Sequence, residues 1–270
     1  MIDALIFAAG FGTRLRPVTD SVPKALVTVG GMTVLERAIR RIVELAPGVI
    51  VVNAHHHAGQ VEAEMARLNR LLEAEAESEG EPKPPRIVVS LEAERPLETG
   101  GGLRHAVPLL GAGRPVLLHN ADVVTELSLS ALVAAHGESP RLATLAVQDR
   151  ASSRKLLFDP EGLYGRLHVG SGKEERAREP GGPRRALAFS GVHVVSPGLI
   201  EQLPDEEVFS ITDHYLAVAA SGARIEAFDI GAAAWWEIGT PERLAAARRA
   251  FTGSCNGSES SDHSSVGGAD

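Results

Sequence analysis

Residues 4–26 read Ala-Leu-Ile-Phe-Ala-Ala-Gly-Phe-Gly-Thr-Arg-Leu-Arg-Pro-Val-Thr-Asp-Ser-Val-Pro-Lys-Ala-Leu, and this stretch decides the fold. The apolar run 4–9 is long enough for one buried strand, and Gly10 and Gly12 end it, with Arg14, Arg16 and Lys24 close behind. A strand feeding a glycine-rich cationic loop is an anion site in outline. Glycine allows positive φ and close backbone approach, so amides from Ala8 to Thr13 can converge on phosphate oxygens while the cations neutralise the remaining charge. Any lone Gly-x-Gly is equally open to a blander reading, a strand followed by a tight basic turn.

Two other phosphate loops fit less well. A dinucleotide fingerprint needs a third glycine where Leu15 stands and an acid where the second strand ends in Asn53. A P-loop needs Gly-Lys-Ser/Thr, which the chain lacks. Asn53 instead joins Ala8, Ala9, Gly10, Gly12 and Thr13 as a candidate for the ligand site.

Working outward, apolar residues recur at helical spacing over 34–43, Pro47-Gly48 stops that helix, and 49–53 is a second, nearly all-apolar strand, so the chain opens βαβ. His55, His56 and His57 follow; a third metal ligand at suitable spacing is missing, and they read as loop and helix-start residues at the site mouth. A helix is expected over 61–75, a solvated acidic insertion over 73–85, and a third strand over 86–91. Pro96-Leu97-Glu98-Thr99-Gly100-Gly101-Gly102 opens the next helix, with Thr99 as its cap. Three glycines at a helix start weaken it, by about 1 kcal/mol each relative to alanine in a helix interior, which favours a role in close backbone approach over a loose entry.

The strand 116–119 ends in Asn120-Ala121-Asp122. A carboxylate leaving the carboxyl edge of a buried strand points into the crevice where α/β sheets bind ligands, so Asp122 is a metal-ligand candidate, although an Asp there can also cap a turn. A helix over 129–136 and a strand over 142–148 follow, and then the texture changes. Short strands at 156–159 and 163–169 alternate with turns, an antiparallel excursion, and 172–185 reads as a mobile charged loop. Gly191 within the strand 186–195 marks a bulge or a nearby ligand. Ser210 and Asp213 stand in capping-box-like register, 224–229 is a late strand, and Pro241 starts a closing helix that runs to about residue 251.

Acids outnumber Lys plus Arg by 35 to 27 without forming a tail, which argues against a nucleic-acid or anionic-membrane surface. The single cysteine, Cys255, lies in a polar tail, so there is no disulfide framework. No leader or membrane-length apolar run is visible, and a cytoplasmic protein is expected. With 44% hydrophobic residues, 1–251 is expected to form one domain, followed by a disordered tail from 252 to 270.

Gly10-x-Gly12-Thr13-Arg14-Leu15-x-Pro17-x-Thr19, followed by Pro23-Lys24, resembles the signature of the sugar-1-phosphate nucleotidylyltransferases. Three later blocks resemble the same family in order: Pro96 to Gly102, Phe189-Ser190-Gly191, and Trp235-Trp236-Glu237-Ile238-Gly239-Thr240. The resemblance implies a Rossmann-like mixed, mostly parallel sheet flanked by helices, with a small antiparallel insertion on the acceptor side. It implies transfer of a nucleotidyl group from a nucleoside triphosphate to a sugar 1-phosphate, with Mg²⁺. By resemblance, Arg14 serves the β and γ phosphates, Lys24 the α-phosphate, and Asp122 and Glu237 the metal. Glu98, Thr99, Gly100 and Gly101 hold the nucleobase, while Ser190 and Gly191 stand on the sugar side. The segment 96–102 is most similar to branches acting on N-acetylmuramate 1-phosphate, a cell-wall sugar, with UTP, and on mannose 1-phosphate with GTP. The chain departs from the pattern at Ala121, where the family has Gly, and at Glu237, where it has Asp. Arg178-Glu179-Pro180 stands where many relatives have Glu-Lys-Pro, and the lysine's role is not transferred to it. A catalytically inert nucleotide-sugar-binding module is the competing class, supported by those departures; a dinucleotide-dependent oxidoreductase is disfavoured by Leu15 and Asn53. On the segment Leu97 to Gly102, UTP with N-acetylmuramate 1-phosphate is the expected pair, over GTP with mannose 1-phosphate or another nucleotide and hexose 1-phosphate.

Overall fold

The computed structural model describes residues 1–137 and 140–253, so the segment 254–270, most of the expected disordered tail, lies outside the described residues. In chain order the strands are β1 (Asp3–Phe7), β2 (Thr28–Val29), β3 (Met32–Thr33), β4 (Val49–Ala54), β5 (Arg86–Leu91), β6 (Val116–Asn120), β7 (Val123–Thr125), β8 (Ala143–Gln148), β9 (Arg154–Asp159), β10 (Gly162–His168), β11 (Lys173–Arg176), β12 (Arg185–Val195), β13 (Ile225–Asp229) and β14 (Trp235–Glu237). The helices are α1 (Val34–Val43), α2 (Ala58–Glu79), α3 (Glu98–Ala106), α4 (Leu129–Gly137), α5 (Pro197–Ile200), α6 (Ile211–Ala220) and α7 (Pro241–Gly253).

The main sheet has a parallel centre, β5-β4-β1-β6, continued antiparallel through β12 to β8 and to the β9-β10-β11 meander, so the expected mixed sheet with an antiparallel insertion is what forms. Side chains alternate along β1. Leu5 packs with Val51, Leu118, Leu103 and Tyr215 on the α3–α6 face, whereas Ile6 joins Val52, Ile39 and Leu68 on the α1–α2 face. Burial on both faces explains why the central strands read as unbroken apolar runs. Since β4 and β6 flank β1 on opposite sides, the carboxyl end of β1 is the switch point where such sheets open a crevice. A third, smaller core joins Leu15, Val27 and Val34 to Val124, Ile238 and Leu244, tying the segment after β1 to β7, β14 and α7. Among the described residues no helix is long and apolar enough to cross a membrane.

Several local expectations change. The acidic stretch expected as an insertion from residue 73 continues α2 to Glu79, where Gly80 at φ +70° ends it; the helix face buried through Leu68 and Leu72 carries the polar residues along. Part of the loop expected over 172–185 is strand β11, paired with β10 from His168 to Gly165. The bulge expected at Gly191 is present: its φ is +75°, and the β12–β8 register shifts between Phe189 and His193. Thr99 does not cap α3, whose N-terminal amides at Gly100 and Gly101 donate instead to the Phe209 carbonyl at 2.9 and 3.3 Å. The Thr99 hydroxyl accepts from Ile211 N at 3.1 Å, at the start of α6, so the two helix starts satisfy each other. The capping box at Ser210 is accordingly not formed; Ser210 Oγ meets Thr212 Oγ1 at 2.8 Å, and Asp213 pairs with Arg166 at 2.6 Å.

His193 on β12 has no accessible surface and neither ring nitrogen has a hydrogen-bond partner; its ring packs 5.1 Å from Phe189 and 5.7 Å from Tyr215. Burial pushes its pKa down to about 3, and those of His119 and His136 to about 4. All three are neutral when folded, whereas the unfolded chain takes up protons near the ordinary value of about 6.5. The unfolded state therefore binds more protons below that pH, and stability present above it declines as the pH falls toward the folded values. His193→Phe is expected to flatten the decline between pH 6 and 4 by about 1.4 kcal/mol per pH unit, the value of one linked proton, in urea unfolding followed by circular dichroism. An unchanged slope would refute the assignment.

Candidate active site

A cavity of about 460 Å³ opens at the carboxyl end of β1. Its floor is Phe7, Ala8 and Ala9, one side is the loop Gly10 to Arg14 with Lys24, the opposite side is Pro96, Glu98 and Thr99, and Asn120, Ala121 and Asp122 close the β6 edge.

The loop is braced from within. Gly12, at φ +63°, offers its carbonyl to Leu15 N and to Thr19 Oγ1, both at 2.8 Å, and a Cβ on Gly12 would come within 2.9 Å of Thr19 Cγ2. The amides of Ala8 and Ala9, expected to face phosphate, donate instead to Asn53 Oδ1 at 2.6 and 3.2 Å. Asn53 in turn donates to Glu92 Oε1 at 2.6 Å, and Glu92 Oε2 accepts from Leu97 N at 2.8 Å. Asn53 and Glu92 are each only 2% exposed, and burial raises the Glu92 carboxyl pKa against these hydrogen bonds. One chain of polar contacts thus runs from the loop through β4 to the entry of α3. Glu92, one residue beyond β5, was not picked out from sequence, although its place at a strand's carboxyl edge is the same signal that marked Asp122.

The charged groups converge on the other side. Pairing of β14 with β7 sets Glu237 opposite Val123, and Ile238 N donates to the Asp122 carbonyl at 3.0 Å, so Asp122 and Glu237 become neighbours across 115 residues of chain. Lys24 Nζ contacts Asp122 Oδ2 and lies 3.9 Å from Glu237 Oε1, which is also 3.5 Å from Arg14. The second oxygen, Glu237 Oε2, is held by Arg243 from the first turn of α7. A Cβ on Gly239 would collide with Glu237 Oε1, so the glycine leaves the carboxylate its place.

Two carboxylates aimed at one cation, Lys24 Nζ, form a hard-oxygen pair of the kind that holds Mg²⁺ together with substrate phosphates and water. The residues present fit such an ion. Among the described residues no group of three or more His, Cys, Asp or Glu is placed to hold a metal ion.

Of the residues singled out from sequence, Ala8, Ala9, Gly10, Gly12, Thr13, Arg14, Lys24, Asn53, Glu98, Thr99 and Asp122 line the cavity, and Glu237 pairs with its rim. Gly100 and Gly101 do not line it. A Cβ on the first would strike the Phe209 ring and on the second the Glu207 carbonyl, so the glycines serve the closure of α3 on the segment before α6. Ser190 is buried and its carbonyl accepts from Trp235 Nε1 at 2.9 Å, while a Cβ on Gly191 would come 2.9 Å from Asn120 Nδ2; neither residue lines the cavity. Glu98 holds φ at +60°, the left-handed region, at the cavity edge.

Residues 3–253 match the nucleotidyl transferase family model. The N-acetylmuramate α-1-phosphate uridylyltransferase of Caulobacter vibrioides is 32% identical over 249 residues, 91% of this chain and 96% of that protein. The mannose-1-phosphate guanylyltransferase catalytic subunit beta of Drosophila pseudoobscura is 26% identical over 88% of this chain but 59% of its own length. The UDP-glucose pyrophosphorylase structure from Acinetobacter baumannii superposes with a TM-score of 0.72 at 19% identity, covering 93% of each chain, and shares the fold.

Asn53→Ala leaves two loop amides and a buried carboxylate without their partner, and is expected to lower stability by about 2–4 kcal/mol in urea unfolding. Asn53→Asp keeps an acceptor for the amides but sets a second carboxylate against Glu92, and should cost at least as much. A loss below about 0.5 kcal/mol in both variants would show that the network carries little energy.

Proposed function

This chain belongs to the nucleotidyl transferase family as a sugar-1-phosphate nucleotidylyltransferase, and from that premise we propose that it joins UTP to N-acetylmuramate 1-phosphate, giving the UDP-sugar and pyrophosphate. The observation that carries the choice of pair is the 32% identity with the Caulobacter uridylyltransferase along 96% of that protein's length. The guanylyltransferase relative, matched over 59% of its length, offers weaker support for GTP with mannose 1-phosphate.

The acceptor phosphate is already an anion when it attacks the α-phosphorus in line, so the site needs neither a general base nor a covalent nucleophile; it needs alignment and charge neutralisation. Arg14 on the loop takes the β and γ phosphates, and Lys24, beside Asp122, takes the α-phosphate as charge builds there. Asp122 and Glu237 would hold Mg²⁺, which would supply further charge neutralisation. Pro96, Glu98 and Thr99 face the base. Both substrates are small soluble anions, and the reaction is placed in the cytoplasm.

The deciding experiment is pyrophosphate release with UTP, GTP, CTP and dTTP, each offered with several sugar 1-phosphates. The UTP and N-acetylmuramate 1-phosphate pair is expected to give the highest kcat/KM; no release with any pair would favour an inert binding module. Lys24→Ala should lower kcat far more than it raises KM for the triphosphate, since its charge is needed most in the transition state. Glu237→Gln and Asp122→Asn should each cut kcat by orders of magnitude and raise the Mg²⁺ requirement, the double variant being little worse than either. Glu237→Asp should be tolerated or mildly impaired. Wild-type turnover and metal dependence in Glu237→Gln would make that carboxylate structural.

A further inference from the structure

We propose that Arg243, at the first turn of α7, binds the phosphate of the acceptor sugar, with Arg150 as its fixed companion. The inference rests on the nucleotidyl-transfer reading and adds a residue on the acceptor side to it.

The first observation is how charge is divided around Glu237. Its Oε1 meets Arg14 at 3.5 Å and Lys24 at 3.9 Å, the cations that line the cavity, whereas its Oε2 meets Arg243, which does not line it. The carboxylate therefore separates donor-side cations from a cation beyond them. Arg150 stands on that outer side as well: its guanidinium lies 3.5 Å from the Trp235 ring centroid and donates to the Phe189 carbonyl at 2.8 Å, within the fields of both Glu237 and Arg243. Four cations thus surround two carboxylates, Asp122 and Glu237, and the excess positive charge calls for anionic ligands. A triphosphate engages Arg14 and Lys24, which leaves the charge of Arg243 and Arg150 for a second phosphate.

The second observation is that two arginines of the insertion, Arg178 and Arg166, are committed to acids of their own. Arg178 clasps Asp159 with bonds of 2.6 and 2.8 Å, and the Asp159 side chain has no accessible surface. Arg166 is divided between Glu175 and Asp213, at 2.7 and 2.6 Å. Arg243 differs from both. Its side chain is 55% exposed, and among the described residues its one acid partner, Glu237, also faces Arg14 and Lys24, so a phosphate can compete for it. A planar guanidinium also grips a phosphate monoester through two parallel bonds.

The test uses the full chain with UTP, N-acetylmuramate 1-phosphate and Mg²⁺, comparing wild type, Arg243→Ala and Arg243→Lys. In the alanine variant KM for the sugar 1-phosphate should rise about tenfold or more, as for loss of a charge-assisted hydrogen bond, while KM for UTP stays within about twofold. The lysine variant should recover part of the loss. Equilibrium binding gives a second readout, because the β-phosphate of the UDP-sugar product is the acceptor's own: calorimetry should show weaker UDP-sugar binding to Arg243→Ala and unchanged UMP binding. An unaltered KM for the sugar phosphate overturns the proposal. Equal weakening toward UTP and UMP would put Arg243 on the donor side, and a change confined to the Mg²⁺ requirement would reduce it to a positioner of Glu237; either result also overturns it. Absence of pyrophosphate release from the wild type with every pair defeats the parent reading, and this one with it.

Discussion

Asp122 and Glu237 come from strands that are far apart in sequence, and two carboxylates brought together repel unless positive charge stands between them. Lys24 supplies that charge from the end of the glycine loop, in contact with one acid and 3.9 Å from the other. The contact makes demands on everything behind it. The β7–β14 pair has to place Glu237 beside Asp122, and the small core of Leu15, Val27, Val124, Ile238 and Leu244 has to hold loop, strand pair and α7 in one register. The side chains of Lys24, Asp122 and Glu237 are only 15–24% exposed, and the cost of desolvating such charges offsets much of their attraction, so the pairs are not what holds the backbone. The apolar core fixes the backbone, and the charges take up the geometry it imposes.

A second layer of order comes from buried polar groups. Asn53 spends both ends of its amide, the oxygen on Ala8 and Ala9 and the nitrogen on Glu92, while Glu92 reaches Leu97. Each of these groups would be expensive to leave unpaired in the interior, so together they hold the loop and the entry of α3 at one separation. That separation is the width of the cavity.

The parallel centre of the sheet was legible because apolar runs of strand length alternate with 3.6-residue periodicity, a pattern few other folds satisfy. The positions lining the cavity were also largely legible, since loop glycines and edge residues such as Asp122 announce themselves by type and place. What escaped was long-range partnership. Nothing local in Thr99 says that its hydroxyl will serve Ile211, 112 residues away, or that Gly100 and Gly101 are small to admit Phe209 and Glu207. A helical continuation past residue 75 and strand β11 were missed because acidic and cationic side chains look like loop when the packing surface they ride on is out of view. Glu237 shows the opposite case: where the family has Asp, its carboxylate still reaches Lys24 and Arg14, at 3.9 and 3.5 Å.

The reciprocal closure of α3 on α6 also bears on how this wall can diverge. Gly100, Gly101 and Gly102 cannot accept a side chain without striking Phe209, the Glu207 carbonyl, or the Asn53–Glu92 pair. The glycine run is therefore mute in sequence drift; substitutions there fail through packing before they can alter recognition. Pro96, Glu98 and Thr99 face the cavity from the same wall, and Thr99 is partly bound to its helix-start duty. Under the proposed function, a lineage exploring new bases on this scaffold is left with Pro96 and Glu98 as its adjustable letters, set beside a stretch of text that packing holds fixed.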